Sequence, residues 1–131
     1  MQRSLLIALF FVMMLVWACQ SNPYQQGEIM YGSYCANCHM EDGTGLRGRI
    51  PPLIKSDYLK KHPDEIACII RYGKAGEIVV NGKKYSEAMP GERKLTDFEI
   101  ANIINYIHQA WGNDYGYVKV QTVQKALEKC K

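Results

Sequence analysis

Five consecutive residues, Cys35-Ala36-Asn37-Cys38-His39, constrain this chain more than any other feature of it. Two thiols separated by two residues fall on one edge of a helical turn, and the imidazole that follows lands beside them. Three chemistries use such a pair. A structural zinc site needs a second Cys/His pair at ligand spacing, and the chain has none. A thioredoxin-like dithiol sits in a βαβ pattern, which does not surround this one. The third is covalent attachment of c-type haem, for which C-x-x-C-H is the signature. In that chemistry Cys35 and Cys38 add to the two vinyl groups as thioethers, and His39 lies under the iron as the proximal ligand. The chain is expected to fold around one such haem.

The flanking segments supply mostly helices. Residues 27–34 form a short helix leading into Cys35, with Gly27 and Tyr31 at i and i+4 on one face. Residues 42–52 carry Gly43, Gly45, Gly48, Pro51 and Pro52, a loop that wraps rather than packs. Pro63 opens a helix over residues 63–72, with Asp64 and Glu65 in its first turn, Ile66, Ala67, Ile69 and Ile70 on its buried side and Gly73 as its stop. Residues 78–80 and 83–85 flank Asn81-Gly82, the two-residue signal of a tight hairpin. Thr96 and Glu99 form a T-x-x-E capping box, and Ile100, Ile103, Ile104, Ile107 and Trp111 recur at helical spacing until Gly112. Val123, Leu127 and Cys130 share a face of a last amphipathic segment. The expected class is all-α with one short β-hairpin.

The apolar run at residues 5–17 follows a single Arg3 and is 13 residues long. That is short of the roughly 20 a spanning helix needs, and it reads as an export signal. Val16-Trp17-Ala18-Cys19 places a small residue directly before a cysteine, which resembles a bacterial lipobox. The resemblance implies a signal peptide at residues 1–18 and a diacylglycerol on the Cys19 thiol. The protein would then be lipid-anchored in a bacterial cell envelope, facing the periplasm or the exterior. The alternative is a secreted protein with an incidental cysteine at the boundary. Residues 19–26 would form a tether, residues 27–113 the haem domain, and residues 114–131 a helical extension packed on it. Without residues 1–18, 15 basic side chains stand against 13 acidic ones with no Lys/Arg run, which excludes nucleic acid as a partner. Lys55, Lys60, Lys61, Lys83 and Lys84 either steer an acidic partner or are scattered solvated lysines.

Candidates for a sixth iron ligand are few, since beyond residue 18 the chain holds Met30, Met40 and Met89 and, besides His39, only His62 and His108. Met40 adjoins His39 and cannot reach the other haem face. Met30 lies on the preceding helix, where such a side chain packs. Met89 sits in Glu87-Ala88-Met89-Pro90-Gly91, a loop in which no helix ties up the sulfur, although filling the core is its ordinary alternative. His62 precedes a proline at a charged helix start, and His108 lies off the isoleucine stripe, so both are expected to face solvent. Cys68 and Cys130 remain as an even pair. In an oxidising compartment they suggest a disulfide that would pin the terminal segment to the domain, the alternatives being two separately buried thiols or an intermolecular link through Cys130. A bond requires the chain to reverse between residues 113 and 120, with Gly112 and Gly116 permitting the turn and Trp111 offering an apolar surface to cover.

Residues 27 to about 113 resemble class I cytochromes c. Cys35, Cys38 and His39 match the family's haem motif, and Met89, in its M-P context, matches the distal methionine. Pro51 matches the proline whose carbonyl accepts the proximal histidine's Nδ1 hydrogen. Gly27 and Tyr31 match the glycine and aromatic of the first helix, and Ile103 and Tyr106 match their partners on the last. The hairpin and the Trp111-Gly112-Asn113 ending are similar to electron-transfer domains of larger respiratory or dehydrogenase systems. The resemblance implies a class I cytochrome c fold and a single-electron carrier, not an enzyme, with an oxidase, reductase or dehydrogenase as redox partner. The alternative from another class is a haem enzyme or gas sensor with an open sixth iron site.

Overall fold

One stripe of isoleucines organises the molecule. The computed structural model describes residues 7, 9–13 and 22–130. From residue 22 its elements are α1 (Gln25–Tyr34), α2 (Ala36–His39), α3 (Asp57–Lys61), α4 (Ile66–Tyr72), β1 (Ile78–Val80), β2 (Lys83–Tyr85), α5 (Asp97–Gln109), a 3-10 turn (Ala110–Gly112) and α6 (Val120–Glu128). Cys19 and the boundary at residue 18 lie outside the described residues. Among the described residues no helix is long and apolar enough to cross a membrane.

Helix α5 starts where the capping box places it. The Thr96 hydroxyl accepts from Glu99 N–H at 3.3 Å, and the Glu99 carboxylate accepts from Thr96 N–H at 2.7 Å. Two amides that a helix start leaves open are thereby satisfied. Ile100, Ile103, Ile104 and Ile107 are buried along one side of α5. Each such side chain contributes on the order of 1.5–3 kcal/mol relative to exposure. α1 crosses α5 at Gly27, where a Cβ would overlap Asn102 O and lie 2.8 Å from Tyr106 Cβ. Tyr31, one turn on, is buried and packs on Tyr106 with ring centroids 5.4 Å apart.

The hairpin has the expected register, Ile78 opposite Tyr85 and Val80 opposite Lys83, around Asn81 and Gly82 with φ of 50° and 75°. Both central residues of a primed turn require positive φ. The middle of the chain departs from expectation in two places. α4 begins at Ile66 rather than Pro63, because residues 63–65 form turns whose Glu65 N–H is taken by His62 O at 3.0 Å. α3, an element beyond those expected, is opened by Ser56, whose hydroxyl accepts from Leu59 N–H at 3.4 Å. The cue was present in Ser56-Asp57 with Leu59 one turn on.

Beyond α5 the chain turns back along it. Asn105, 4% exposed, donates to Val118 O at 2.9 Å and accepts from Val118 N–H at 2.7 Å, so a buried amide is met on both sides. Asn113 donates to Ile107 O and Leu53 O and accepts from Lys55 N–H at 2.7 Å, tying the loop after Pro52 to α5. α6 then buries Val123 and Leu127, and Cys130 is disulfide-bonded to Cys68 of α4, with Cα atoms 5.8 Å apart.

This return corrects two expectations. His108 is 3% exposed rather than solvent-facing, because residues 113–118 cover a second side of α5. Trp111 does not receive the returning segment. Its ring packs on Tyr31 and Tyr106 and against Gly43, and its indole N–H donates to Glu41 O at 3.1 Å.

Candidate functional site

Cys35 closes α1 and opens α2, so the C-x-x-C-H residues form a single helical turn. His39 N–H donates to Cys35 O at 2.9 Å and Met40 N–H to Ala36 O at 2.9 Å. Met40 then leaves the helix with φ of 63°, and its carbonyl accepts from the Tyr31 hydroxyl at 2.6 Å, which anchors the end of the turn to the core. The His39 ring is 7% exposed, and its Nδ1 lies 3.1 Å from Pro51 O. A carbonyl only accepts, so Nδ1 carries the hydrogen and Nε2 keeps its lone pair. Burial lowers the His39 pKa, with the Pro51 contact opposing, and the neutral ring is the form that binds a metal.

Cys35, Cys38, His39, Pro51 and Met89 all line one cavity of about 360 Å³. Leu53, Leu59, Ile66, Ile70, Ile103 and Ile107 supply much of the apolar remainder of its wall. Met89 is half-buried there, and its backbone pairs with Lys74 in an isolated antiparallel bridge. Met30 is instead packed against the core, and His62 lies on the surface, with its Nδ1 3.2 Å from a Glu65 carboxylate oxygen. Of the candidate lysines, Lys61 and Lys84 are ion-paired with Asp57 and Glu77.

The geometry separates the three chemistries of the Cys pair. Cys35 and Cys38 are free thiols while Cys68 and Cys130 are bonded to each other. Burial, followed by the nearby Glu92 and Cys38, pushes the Cys35 thiol up to about 12, the reverse of a redox-active thiolate. Among the described residues no three His, Cys, Asp or Glu side chains are grouped to hold a bare metal ion. Two thiols and a neutral imidazole at the wall of an apolar cavity do fit a haem, whose ring needs a dry slot, two attachment sulfurs and a nitrogen ligand.

A helical domain built around a covalent haem turn of this kind, with a single small hairpin, is a class I c-type cytochrome. The comparison with known families narrows this. Residues 22–107 match the family described as cytochrome C oxidase, cbb3-type, subunit III, and the chain belongs to that family. It is 37% identical over 83 residues to a cytochrome c-552 of Thermus thermophilus, covering 60% of this chain and 63% of the relative. It is 34% identical over 103 residues to the cytochrome c subunit of a quinone alcohol dehydrogenase of Gluconobacter oxydans, covering 76% of this chain and 21% of that subunit. The cytochrome c subunit of a gluconate 2-dehydrogenase of Pantoea cypripedii is 30% identical over 91 residues, with 68% and 21% covered. The chain thus spans under two thirds of the cytochrome c-552 and about a fifth of the dehydrogenase subunits. Membership of the family brings covalently bound haem c as the cofactor.

No local sequence signal marks the polar residues that hold the site's surroundings. Asn105 and Asn113 sit in a helix and at its exit, where asparagine usually signals only a turn, and nothing local marks them as buried. Lys74, paired with Met89, and Gly91, beside Tyr72 and Gly73, carried no cue beyond the Gly73 helix stop.

Proposed function

We propose that the chain is a single-electron carrier with one haem c, exported and lipid-anchored through Cys19 in a bacterial cell envelope, facing the periplasm or the exterior. The observation that carries the electron-carrier reading is the meeting of His39 and Met89, 50 residues apart in sequence, at one apolar cavity. Cys35 and Cys38 would hold the cofactor, His39 Nε2 and the Met89 sulfur would ligate its iron, and Pro51 fixes the His39 ring through Nδ1. The bound haem supplies reversible one-electron Fe(III)/Fe(II) chemistry, and the protein tunes it.

Each residue's part follows from its surroundings. Pro51 holds the imidazole in one tautomer and one orientation. A Met89 thioether bound to the iron would favour the reduced state and, together with His39, would leave no position for a substrate, which supports a carrier over an enzyme. The apolar wall keeps water away and limits the reorganisation that accompanies a change of charge. Cys38 is exposed at the cavity, and the half-exposed Tyr34 and Leu46 line it too. That side is the exit for the electron in a small transient contact with a redox protein, an oxidase, a reductase or a dehydrogenase of the kind whose cytochrome subunits the chain resembles.

An optical spectrum of the purified protein tests the carrier reading. The reduced form should show the sharp bands of a thioether-linked, six-coordinate haem, and the oxidised form the weak near-infrared band of an Fe(III)-to-sulfur bond. A high-spin spectrum would instead indicate an open sixth site. Mass spectrometry of the membrane-bound protein tests the anchor. The expected N-terminus is acylated Cys19, and an unacylated Cys19 decides against it.

A further inference from the structure

The segment that carries Met89 lies on the end of α4 with no side chain between the two backbones. Lys74 N–H donates to Met89 O and Met89 N–H to Lys74 O, both at 2.9 Å. Three residues on, Glu92 N–H donates to Ile70 O at 2.8 Å, satisfying one of the carbonyls that the last turn of a helix leaves open. Gly91 sits between these attachments. A Cβ there would overlap the Tyr72 carbonyl carbon and lie 2.5 Å from Gly73 N and 2.7 Å from Arg71 O. All three are main-chain atoms at the helix end, which cannot step aside as a side-chain tip can. Gly73 meets the same segment from below: its φ is +83°, and a Cβ there would overlap Met89 O and lie 2.9 Å from Gly91 N. Gly91 itself lies outside the left-handed region, so space alone requires glycine at that position.

Resting on the reading of Met89 as the sixth ligand, we infer that Gly91 is a positioning residue for that ligand. The Gly73/Gly91 crossing fixes how deeply residues 89–92 settle onto α4, and with them the height of the Met89 sulfur at the cavity wall. A methyl group at position 91 has to open the 2.5 Å gap to Gly73 N toward the 3.4 Å of ordinary contact. Lifting the segment stretches the Glu92 to Ile70 bond and draws residue 89 away from the cavity, while the C-x-x-C-H turn keeps its own closing bonds to Cys35 O and Ala36 O and is not among the atoms that a Cβ at position 91 meets.

The test uses the ferric holoprotein, with free imidazole as a probe that competes with the Met89 sulfur. Gly91→Ala is compared with wild type and with Gly32→Ala, a helical glycine whose added Cβ meets nothing within 4 Å. Gly91→Ala should retain covalent haem, weaken the near-infrared sulfur band and bind imidazole about tenfold or more tightly, a change in keeping with forcing a methyl into close-packed backbone. Gly32→Ala should behave as wild type. Unchanged band and imidazole affinity in Gly91→Ala would overturn the positioning role. A wild type that lacks the band would show that the sixth-ligand reading had failed, and the inference with it. Should Gly91→Ala fail to mature, amide exchange on the wild-type holoprotein decides. Imidazole should deprotect the Lys74, Met89 and Glu92 amides while α5 stays protected, and protection retained at those three would overturn the inference.

Discussion

Cys35, Cys38 and His39 reach the cavity from a single helical turn, closed by hydrogen bonds between residues one turn apart, whereas Met89 lies on a segment whose backbone is bonded to Ile70 and Lys74, distant in sequence. The first arrangement is local and, once haem is attached, covalent. The second depends on α4 being in place, on the Lys74 bridge and on two glycines passing backbone to backbone. Loop closure between distant segments costs entropy that a local turn does not incur. The Met89 side is therefore where the site should yield first, and perturbations placed far from residues 35–39 should register there before they register on attachment.

The largest effect should come from removing the sulfur itself. Met89→Ala should abolish the near-infrared sulfur band, lower the reduction potential and keep haem covalently bound, because both thioethers and His39 are untouched. Loss of covalent haem in that variant would break the distinction between the two sides. It would show that the Met89 segment is needed for the attachment turn to form.

The next perturbation acts through α4 from its outer face. The bond between Cys68 and Cys130 closes a loop with a sequence separation of 62 residues. In the chain-entropy description a loop of that size is worth about 4 kcal/mol. The double variant Cys68→Ser with Cys130→Ser should lose stability of that order in denaturant titration. It should also bind imidazole more readily, since the helix that carries Cys68 receives Glu92 at Ile70 O and ends at Gly73. Stability loss with unchanged imidazole affinity would confine the disulfide's action to the C-terminal extension.

The same contrast explains what the residue pattern disclosed. The attachment turn, the Asn81-Gly82 hairpin and α5 with its Thr96/Glu99 box are each specified by residues within a few positions of one another, and the structure has all three. Met89 stands out among the few side chains that can ligate iron because it lies in a loop before Pro90. How its segment is held was not legible, because Gly91 matters only when Tyr72 and Gly73 lie against it. His108 shows the limit most plainly. A single apolar stripe on α5 implies one buried face, but α5 has two, and the second is covered by polar contacts from residues 113–118 that leave no hydrophobic periodicity to read.

The smallest effect tests that second face. His108 Nδ1 lies 3.0 Å from Gly116 O and so donates to it, leaving Nε2 without a hydrogen-bond partner among the described residues. The Tyr115 ring stands nearly perpendicular to the imidazole, with ring centroids 5.6 Å apart. Burial lowers the His108 pKa from its ordinary 6.5, with the Gly116 contact opposing. In the unfolded chain the ring takes up a proton near pH 6.5, while in the folded chain it resists until lower pH, so between those values the unfolded state binds more protons. The contribution to stability is complete above about pH 6.5 and is lost as pH falls through the folded value, with a slope of at most about 1.4 kcal/mol per pH unit. Carboxylates cannot mimic this. The Lys61 contact lowers Asp57 below 3.8 and the Tyr58 hydroxyl lowers Glu65 below 4.5, so what they contribute is lost only at more acidic pH. Wild type should therefore lose stability in denaturant titrations carried from pH 7 to pH 5, and His108→Gln should lose less over the same range. Equal slopes for the two proteins would show that the extension does not hold His108 neutral, and that the Asn105 and Asn113 contacts alone secure it.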